Sequence, residues 1–199
     1  MAIVFNLTKG ESFNLSKECL ENIRVDLTWS DADLDVQAWL LKDGMIINRE
    51  AFVFYNSENR TEPFSHEKFG NKRRWQKETA PMSADGAVRG AIDERRGGKE
   101  TLKINLTNID PQVDEIIVSA TVAEAKPNNV FGCVADSKVT VFNDATGEEL
   151  GNFALGADYP NEDAMAVARF VIDDEGEWKF EALGQAYTGG LQTLVDMYA

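Results

Sequence analysis

The sequence has few of the residues that build common catalytic and transition-metal centres. It holds two cysteines and one histidine in 199 residues. Cys19 and Cys133 share no metal-binding or redox spacing, so both are expected to be reduced thiols, and Cys133 is expected to pack as a small apolar side chain. His66 lies among polar residues and no Gly-x-Ser-x-Gly segment occurs, so nucleophilic hydrolysis has no support. These absences favour a non-enzymatic protein.

Long apolar runs and phosphate-binding glycine loops are also absent. No window approaches the roughly 18 consecutive apolar residues of a membrane span. Met1–Asn6 has neither the basic start nor the apolar core of a signal peptide. No glycine loop follows a predicted strand and opens a helix, so nucleotide binding of that kind is unsupported. We therefore expect a cytoplasmic protein without a membrane span.

Positive charge is scarce and unevenly distributed. The net charge is −14, which argues against general binding to nucleic acids or anionic membranes. Residues 60–99 nevertheless contain ten of the twenty Lys and Arg residues and only six acidic residues, so this segment carries +4 and the rest of the chain −18. The protein is thus acidic with one basic segment.

Strand patterns dominate what is present. Stretches with apolar residues at every second position alternate with Gly- and Asp-rich turns, which is typical of antiparallel sheets. Only Leu191–Tyr198 and a single turn at 111–115 are predicted to be helical. The whole chain, 1–199, is therefore predicted to be one all-β domain, an antiparallel two-sheet β-sandwich with a short C-terminal helix. The predicted strands are 3–8, 12–16, 23–29, 35–41, 51–55, 102–106, 115–122, 138–142, 149–155, 164–172 and 177–183.

One connection is unusually long. Residues 57–98 show no regular pattern, and they are predicted to form a basic inserted loop. Structureless connections of this length are uncommon and are usually functional or mobile.

Asp33-Leu34-Asp35, at the start of a predicted buried strand, is the most distinctive polar feature. Because strand side chains alternate, Asp33 and Asp35 are expected on one face. Two carboxylates this close repel each other, and burying either is unfavourable without a positive partner. A hard cation bound by oxygen ligands would be such a partner. Two solvated surface acids are the simpler alternative.

Short motifs follow one another along nearly the whole chain. They are Leu7-Thr8-Lys9-Gly10, Val25-Asp26-Leu27-Thr28-Trp29, Asp33-Leu34-Asp35-Val36-Gln37-Ala38, Phe52-Val53-Phe54-Tyr55-Asn56, Phe131-Gly132, Gly176-Glu177-Trp178-Lys179-Phe180 and Ala182-Leu183-Gly184-Gln185-Ala186-Tyr187. In this order they resemble the TerD family, which is associated with bacterial tellurite resistance and stress response. The resemblance identifies a divergent member with a long insertion at about residues 57–82 and a shortened calcium loop. It implies a β-sandwich with a calcium site between loops at one end.

The resemblance also implies the ligands of that calcium site. The family's signature loop corresponds to residues 93–100, where Asp93, Gly97 and Glu100 match the family pattern. Three cations now lie in this loop, Arg95, Arg96 and Lys99, although calcium prefers a cage of oxygen ligands with net negative charge. The implied ligands are Asp33, Asp35, Asn56, Asp93, Glu100 and Glu124, with Asp31 and Glu94 as substitutes.

Two functions are compatible with these patterns. The first is a non-enzymatic binding or scaffold protein of a bacterial stress or tellurite-resistance response, stabilised by calcium. The alternative is a metal-free adaptor that binds an acidic partner, either another stress-response protein or a second copy, through its basic insertion. A basic run with an embedded aromatic residue can bind acidic or phosphate-rich partners, although a solvated loop is the simpler interpretation. The run consists of Lys72, Arg73, Arg74, Trp75 and Lys77 around Gln76.

An arginine of the loop could take the place of the metal. If Arg95 or Arg96 forms a buried ion pair with Asp33 or Asp35, replacing that arginine by Ala should cost about 3–5 kcal/mol, because a buried charge loses its partner. If calcium is retained instead, both arginines point to solvent and their removal should cost almost nothing. Melting temperatures of Arg95→Ala and Arg96→Ala, with and without calcium, separate the two. Variants that melt like the parent in chelator would contradict the ion pair.

Overall fold

The structure is a computed structural model that describes residues 9–94, 98–123 and 129–199. The strands in this part of the chain are β1 (Ser12–Asn14), β2 (Ile23–Ser30), β3 (Leu34–Lys42), β4 (Met45–Ile46), β5 (Phe52–Val53), β6 (Val88–Arg89), β7 (Gly98–Ile104), β8 (Glu115–Val122), β9 (Ala135–Asn143), β10 (Glu148–Ala154), β11 (Ala164–Ile172) and β12 (Trp178–Tyr187). The helices are α1 (Lys17–Leu20), α2 (His66–Phe69), α3 (Lys72–Glu78), α4 (Leu155–Asp158) and α5 (Gly190–Tyr198).

The strands form two antiparallel sheets. The larger sheet has the order β1-β12-β11-β8-β3-β4, with β5 also paired to β3, and the smaller sheet has the order β10-β9-β2-β7-β6. The predicted all-β, two-sheet fold with a C-terminal helix is therefore confirmed. The strand predicted at 3–8 lies outside the described residues. The helical turn predicted at 111–115 is wrong, because the chain forms a non-helical turn there. None of the described helices is long and apolar enough to cross a membrane.

The main core lies between the two sheets. In β2 the apolar residues occupy every second position, and β3 contributes its own alternate residues, so both strands present an apolar face to the same layer. Burying a large aliphatic side chain of this kind stabilises the fold by roughly 1.5–3 kcal/mol. The contributing side chains are Ile23, Val25, Leu27 and Trp29 from β2 and Leu34, Val36, Ala38 and Leu40 from β3.

Helix α5 forms a third layer on the outer face of the larger sheet. Leu191, Leu194, Val195 and Tyr198 lie on one face of this helix, because they follow the spacing of three and four residues that brings side chains together. They pack with Trp39 and its neighbours. Both faces of β3 are consequently buried, which explains why this strand is so apolar.

The interior under α5 also contains a satisfied polar chain. The Trp39 indole N–H donates to the Ser119 hydroxyl at 2.8 Å, and Ser119 donates to the Gln37 amide oxygen at 3.0 Å. The Gln37 amide then donates to the Thr121 hydroxyl at 2.8 Å. Buried polar groups are tolerated when each finds a partner, so this chain fixes the register of β3 against β8.

The predicted inserted loop, 57–98, is folded over residues 57–94, which corrects the expectation of an irregular loop. These residues are called the insertion below. Helices α2 and α3 form within it, and Asn71 caps α3 by accepting the Arg74 N–H at 2.9 Å. Trp75 on α3 is only 4% exposed. Its indole donates to the Glu62 carbonyl at 2.7 Å, and its ring meets Phe64 edge-on. The insertion therefore has a small aromatic core of its own.

Arg60 holds this insertion together. Its side chain is buried, at 5% exposure, and burial lowers its pKa to about 10, so it is charged at neutral pH. The guanidinium donates to four backbone carbonyls, those of Tyr55, Ser57, Gln76 and Thr79. Arginine suits this position because its planar fork presents several donors in fixed directions. Arg60 thereby joins the chain after β5 to the end of α3.

Replacing Arg60 should unfold the insertion. Arg60→Met leaves several buried carbonyls without donors, and each such group costs about 1–3 kcal/mol. Arg60→Lys keeps the charge but loses the planar guanidinium group. We therefore expect it, too, to lower the free energy of unfolding, by about 2–4 kcal/mol. Guanidinium titration measures both. The matched control is Arg74→Lys on the exposed surface, for which a change below about 1 kcal/mol is expected. Equal losses at both positions would contradict the role of Arg60.

Candidate metal centre

Three carboxylates from different parts of the chain meet near the first residues of two strands. Asp35 belongs to β3, Glu100 belongs to β7, and Asp93 lies between β6 and β7. One oxygen from each carboxylate lies within 4.8 Å of the other two. Because β3 and β7 belong to different sheets, this carboxylate cluster joins the two halves of the sandwich.

Strand alternation directs Glu100 into the interior. In β7 the residues Glu100, Leu102 and Ile104 are buried, whereas the residues between them are more exposed. Glu100 therefore occupies a position that would suit an apolar residue equally well. A carboxylate at such a position is costly unless it is hydrogen-bonded, neutralised or bound to a cation.

Glu100 is hydrogen-bonded to two backbone amides. The Val36 N–H donates to Oε2 at 3.0 Å, and the Glu94 N–H donates to Oε1 at 3.2 Å. The side chain is 3% exposed, and this burial is the main reason why its pKa rises to about 8. The charges of Asp35 and Asp93 raise the pKa further, while the two amide bonds oppose the shift. At neutral pH the carboxyl group is largely protonated in the absence of a cation.

Lys99, one of the three cations of the predicted calcium loop, does not enter the cluster. It is adjacent to Glu100 on β7 and therefore points to the opposite face. Its ammonium group pairs with Asp26 at 2.7 Å, on the outer face of the smaller sheet. Arg95 and Arg96 lie outside the described residues, so their ion pair with Asp33 or Asp35 stays a prediction.

Two further implied ligands, Asn56 and Glu94, lie beside the cluster. The Asn56 side-chain oxygen accepts a hydrogen bond from the Gln76 amide at 2.9 Å. Asn56 and Asp93 line one cavity of about 130 Å³, which places Asn56 near the cluster. The Glu94 backbone N–H donates a hydrogen bond to the Glu100 carboxylate, and Glu94 itself is exposed.

Two other implied ligands line a different cavity. Asp31 and Asp33 line a second cavity, of about 280 Å³, together with Cys133. Asp33 precedes β3 and is not grouped with the three clustered carboxylates, although it was expected to share a face with Asp35. Cys133 is exposed, so the expectation that it packs as an apolar side chain is wrong. Glu124 lies outside the described residues.

The carboxylate cluster fits a divalent cation that prefers oxygen ligands. Two oxygens bound to the same Ca²⁺ at ~2.4 Å can be at most ~4.8 Å apart, and the three carboxylates satisfy this limit. Together they offer up to six oxygens. Because Glu100 holds a proton at neutral pH, a cation has to displace that proton to bind it.

The basic run lies on α3, with its charged residues exposed and its aromatic residue buried. Trp75 is therefore not available at the surface, which corrects its predicted part in partner binding. Lys72 pairs with Glu58 at 3.6 Å, and Arg74 pairs with Glu78 at 2.6 Å. The other two cations of the run, Arg73 and Lys77, have a different environment.

Arg73 and Lys77 line the 130 Å³ cavity beside Asp93. Within the described residues neither forms an ion pair. Tyr55 and Gln76 line the same cavity and were not predicted as site residues. The sequence signal for this cavity was the spacing of four residues between Arg73 and Lys77, which places two cations on one face of a helix.

The chain is similar to known proteins over nearly all of its length. The family model described as TerD domain matches residues 1–198. The tellurium resistance protein TerD of Serratia marcescens is 32% identical over 208 residues, which cover 97% of this chain and 96% of that protein. General stress protein 16U of Bacillus subtilis is 29% identical and covers 98% of this chain and 97% of that protein. A crystal structure of a TerD homologue from Streptomyces coelicolor A3(2) has a TM-score of 0.66 at 17% identity, and covers 87% of this chain and 94% of the homologue, which shows the same fold. With its two antiparallel sheets and a family match over nearly all of its length, the chain belongs to the TerD family.

Proposed function

We propose that this protein is a non-enzymatic, cytoplasmic binding or scaffold protein of a bacterial stress or tellurium-resistance response, stabilised by calcium at the carboxylate cluster. The observation that carries the proposal is the convergence of Asp35, Asp93 and Glu100 from two sheets. The relatives are named as tellurium resistance and general stress proteins, which supports the stress role.

Calcium is favoured by the chemistry of the donors. Carboxylate oxygens suit hard cations, whereas soft or borderline metals favour thiolate or imidazole ligands. Asp35 and Asp93 bring carboxylates next to Glu100, and a cation bound by all three would favour the ionised form of Glu100. Calcium would connect β3, β7 and the segment before β7, and a ligand that binds only the folded state stabilises it. Its role here is structural.

A metal-free adaptor remains the second candidate. It is supported by the exposure of Lys72, Arg73, Arg74 and Lys77 on α3. It is weakened because Trp75 is buried and because two of these four cations already pair with acidic residues. The response of the melting temperature to calcium separates the two candidates, since only the first requires metal.

Calcium should raise the thermal stability of the protein. Calcium at about 100 times its dissociation constant adds about 2.7 kcal/mol, and each kcal/mol shifts the melting temperature of a domain this size by about 2–4 °C. We therefore expect a rise of several degrees that chelator reverses, measured by calorimetry. Asp93→Asn and Glu100→Gln should abolish the rise. Asp174→Asn in the exposed β11–β12 turn is the control and should keep it. A parent protein that melts identically with calcium and with chelator would refute the metal site.

The metal-free protein should lose stability as pH rises from about 5 to about 8. The folded state keeps the Glu100 proton up to a pKa of about 8, whereas the ordinary value is 4.5. In this window the folded state binds more protons than the unfolded state, so its free energy of unfolding falls with increasing pH. Glu100→Gln removes this titration and should flatten the dependence, by roughly 2–4 kcal/mol across the window.

Urea titrations in chelator at several pH values measure this slope. The control is Glu94→Gln, an exposed neighbour that should keep the slope of the parent. Parallel pH profiles for the parent and Glu100→Gln would show that Glu100 is ionised in the folded protein and would contradict the expectation.

A further inference from the structure

The cavity beside the carboxylate cluster has a wall of unusual composition. Its volume is about 130 Å³, several times the roughly 30 Å³ that one water molecule occupies in the liquid. Its wall brings together two cations, two amide side chains, a tyrosine and one carboxylate. The lining residues are Tyr55, Asn56, Arg73, Gln76, Lys77 and Asp93.

The two cations of the cavity wall are available to bind an anionic ligand. Arg73 and Lys77 are four residues apart on α3 and so lie on one face of the helix. Neither pairs with an acidic residue elsewhere in the described chain, whereas their helix neighbours Lys72 and Arg74 do. The unpaired positive charge of α3 is thus the charge that borders the cavity.

The cavity wall is held in place by Arg60. Its guanidinium donates to the Tyr55 carbonyl at 2.9 Å and to the Gln76 carbonyl at 2.8 Å. The Gln76 side chain then donates to Asn56 at 2.9 Å. These bonds connect the chain after β5 to α3 on two sides of the cavity. A wall fixed in this way reduces the ordering that a ligand must impose when it binds.

We propose that this cavity binds a phosphate group through Arg73 and Lys77, and that metal at the carboxylate cluster strengthens the binding. A phosphate oxyanion suits this wall because the planar arginine donors and the lysine point charge both bind phosphate well. Asp93 explains the coupling, since it belongs both to the cavity wall and to the cluster.

The sign of the coupling follows from charge. The Asp93 carboxylate contributes negative charge to the cavity wall, and a divalent cation on the cluster makes the local potential more positive, which favours an anion in the cavity. By reciprocity, the phosphate group strengthens metal binding by the same factor. This coupling rests on the proposed calcium function, whereas the contacts from Arg73 and Lys77 do not.

Isothermal titration with O-phosphoserine tests the proposal, with serine as the probe that lacks phosphate. The calcium-loaded parent should bind phosphoserine at least about tenfold tighter than serine, and Arg73→Gln and Lys77→Gln should each weaken that binding about fivefold or more. Arg74→Gln is the matched control, because it removes the same charge from the same helix outside the cavity, and it should stay within about twofold. All three residues are exposed, so the variants should melt like the parent.

The outcomes separate this proposal from the calcium function. Calcium binding without phosphoserine binding would overturn the phosphate site and leave the metal site standing. Equal losses in Arg73→Gln, Lys77→Gln and Arg74→Gln would also overturn it, since general charge would then suffice. Phosphoserine binding that depends on Arg73 and Lys77 but is unchanged by chelator would support the phosphate site and overturn the coupling. Competition by inorganic phosphate at equal affinity would show that the free ion is recognised, and weaker competition would indicate a phosphorylated molecule.

Discussion

The Val36 N–H at the edge of the larger sheet sets the central constraint of this structure. Next to Val36, β3 pairs with β8 on one side, while β4 and β5 pair only with later residues of β3. A buried backbone N–H needs a partner, and the carboxylate of Glu100 from the other sheet supplies it. One hydrogen bond thus closes a sheet edge and joins the two sheets.

This solution has an electrostatic consequence. A carboxyl group buried at the junction, beside Asp35 and Asp93, is easily kept protonated and costly to ionise. A divalent cation bound at the proposed site would reverse that preference. The residue that closes the sheet edge, Glu100, is therefore also a ligand of the proposed calcium site.

The insertion places positive charge next to the carboxylate cluster. Arg60 is buried and serves the fold, because it satisfies carbonyls on both sides of the insertion. Two of the exposed cations of α3, Arg73 and Lys77, share a cavity with Asp93. The basic segment thus contains residues with two roles: Arg60 organises the insertion, and Arg73 and Lys77 lie beside the acidic cluster.

The sequence by itself determined the local structure and the family. Alternation identified β2, because a strand buried on one face repeats every two residues, whereas continuous apolar and β-branched runs identified β3 and β8. A short C-terminal helix was predicted at Leu191–Tyr198, where α5 forms. The ordered motifs identified the TerD family. Asp35, Asp93 and Glu100 were among the implied ligands, but the sequence did not separate them from Asp31 and Asp33.

Only the tertiary structure decided which polar residues meet and which are buried. Lys99 and Glu100 are neighbours in sequence, yet the pleat of β7 sends them to opposite faces. Trp75 and Arg60 belong to a basic, polar stretch, yet both are buried because the insertion folds around them. A local pattern reports the period of an element, whereas contacts between sheets and the cover over each face depend on segments that are distant in the chain.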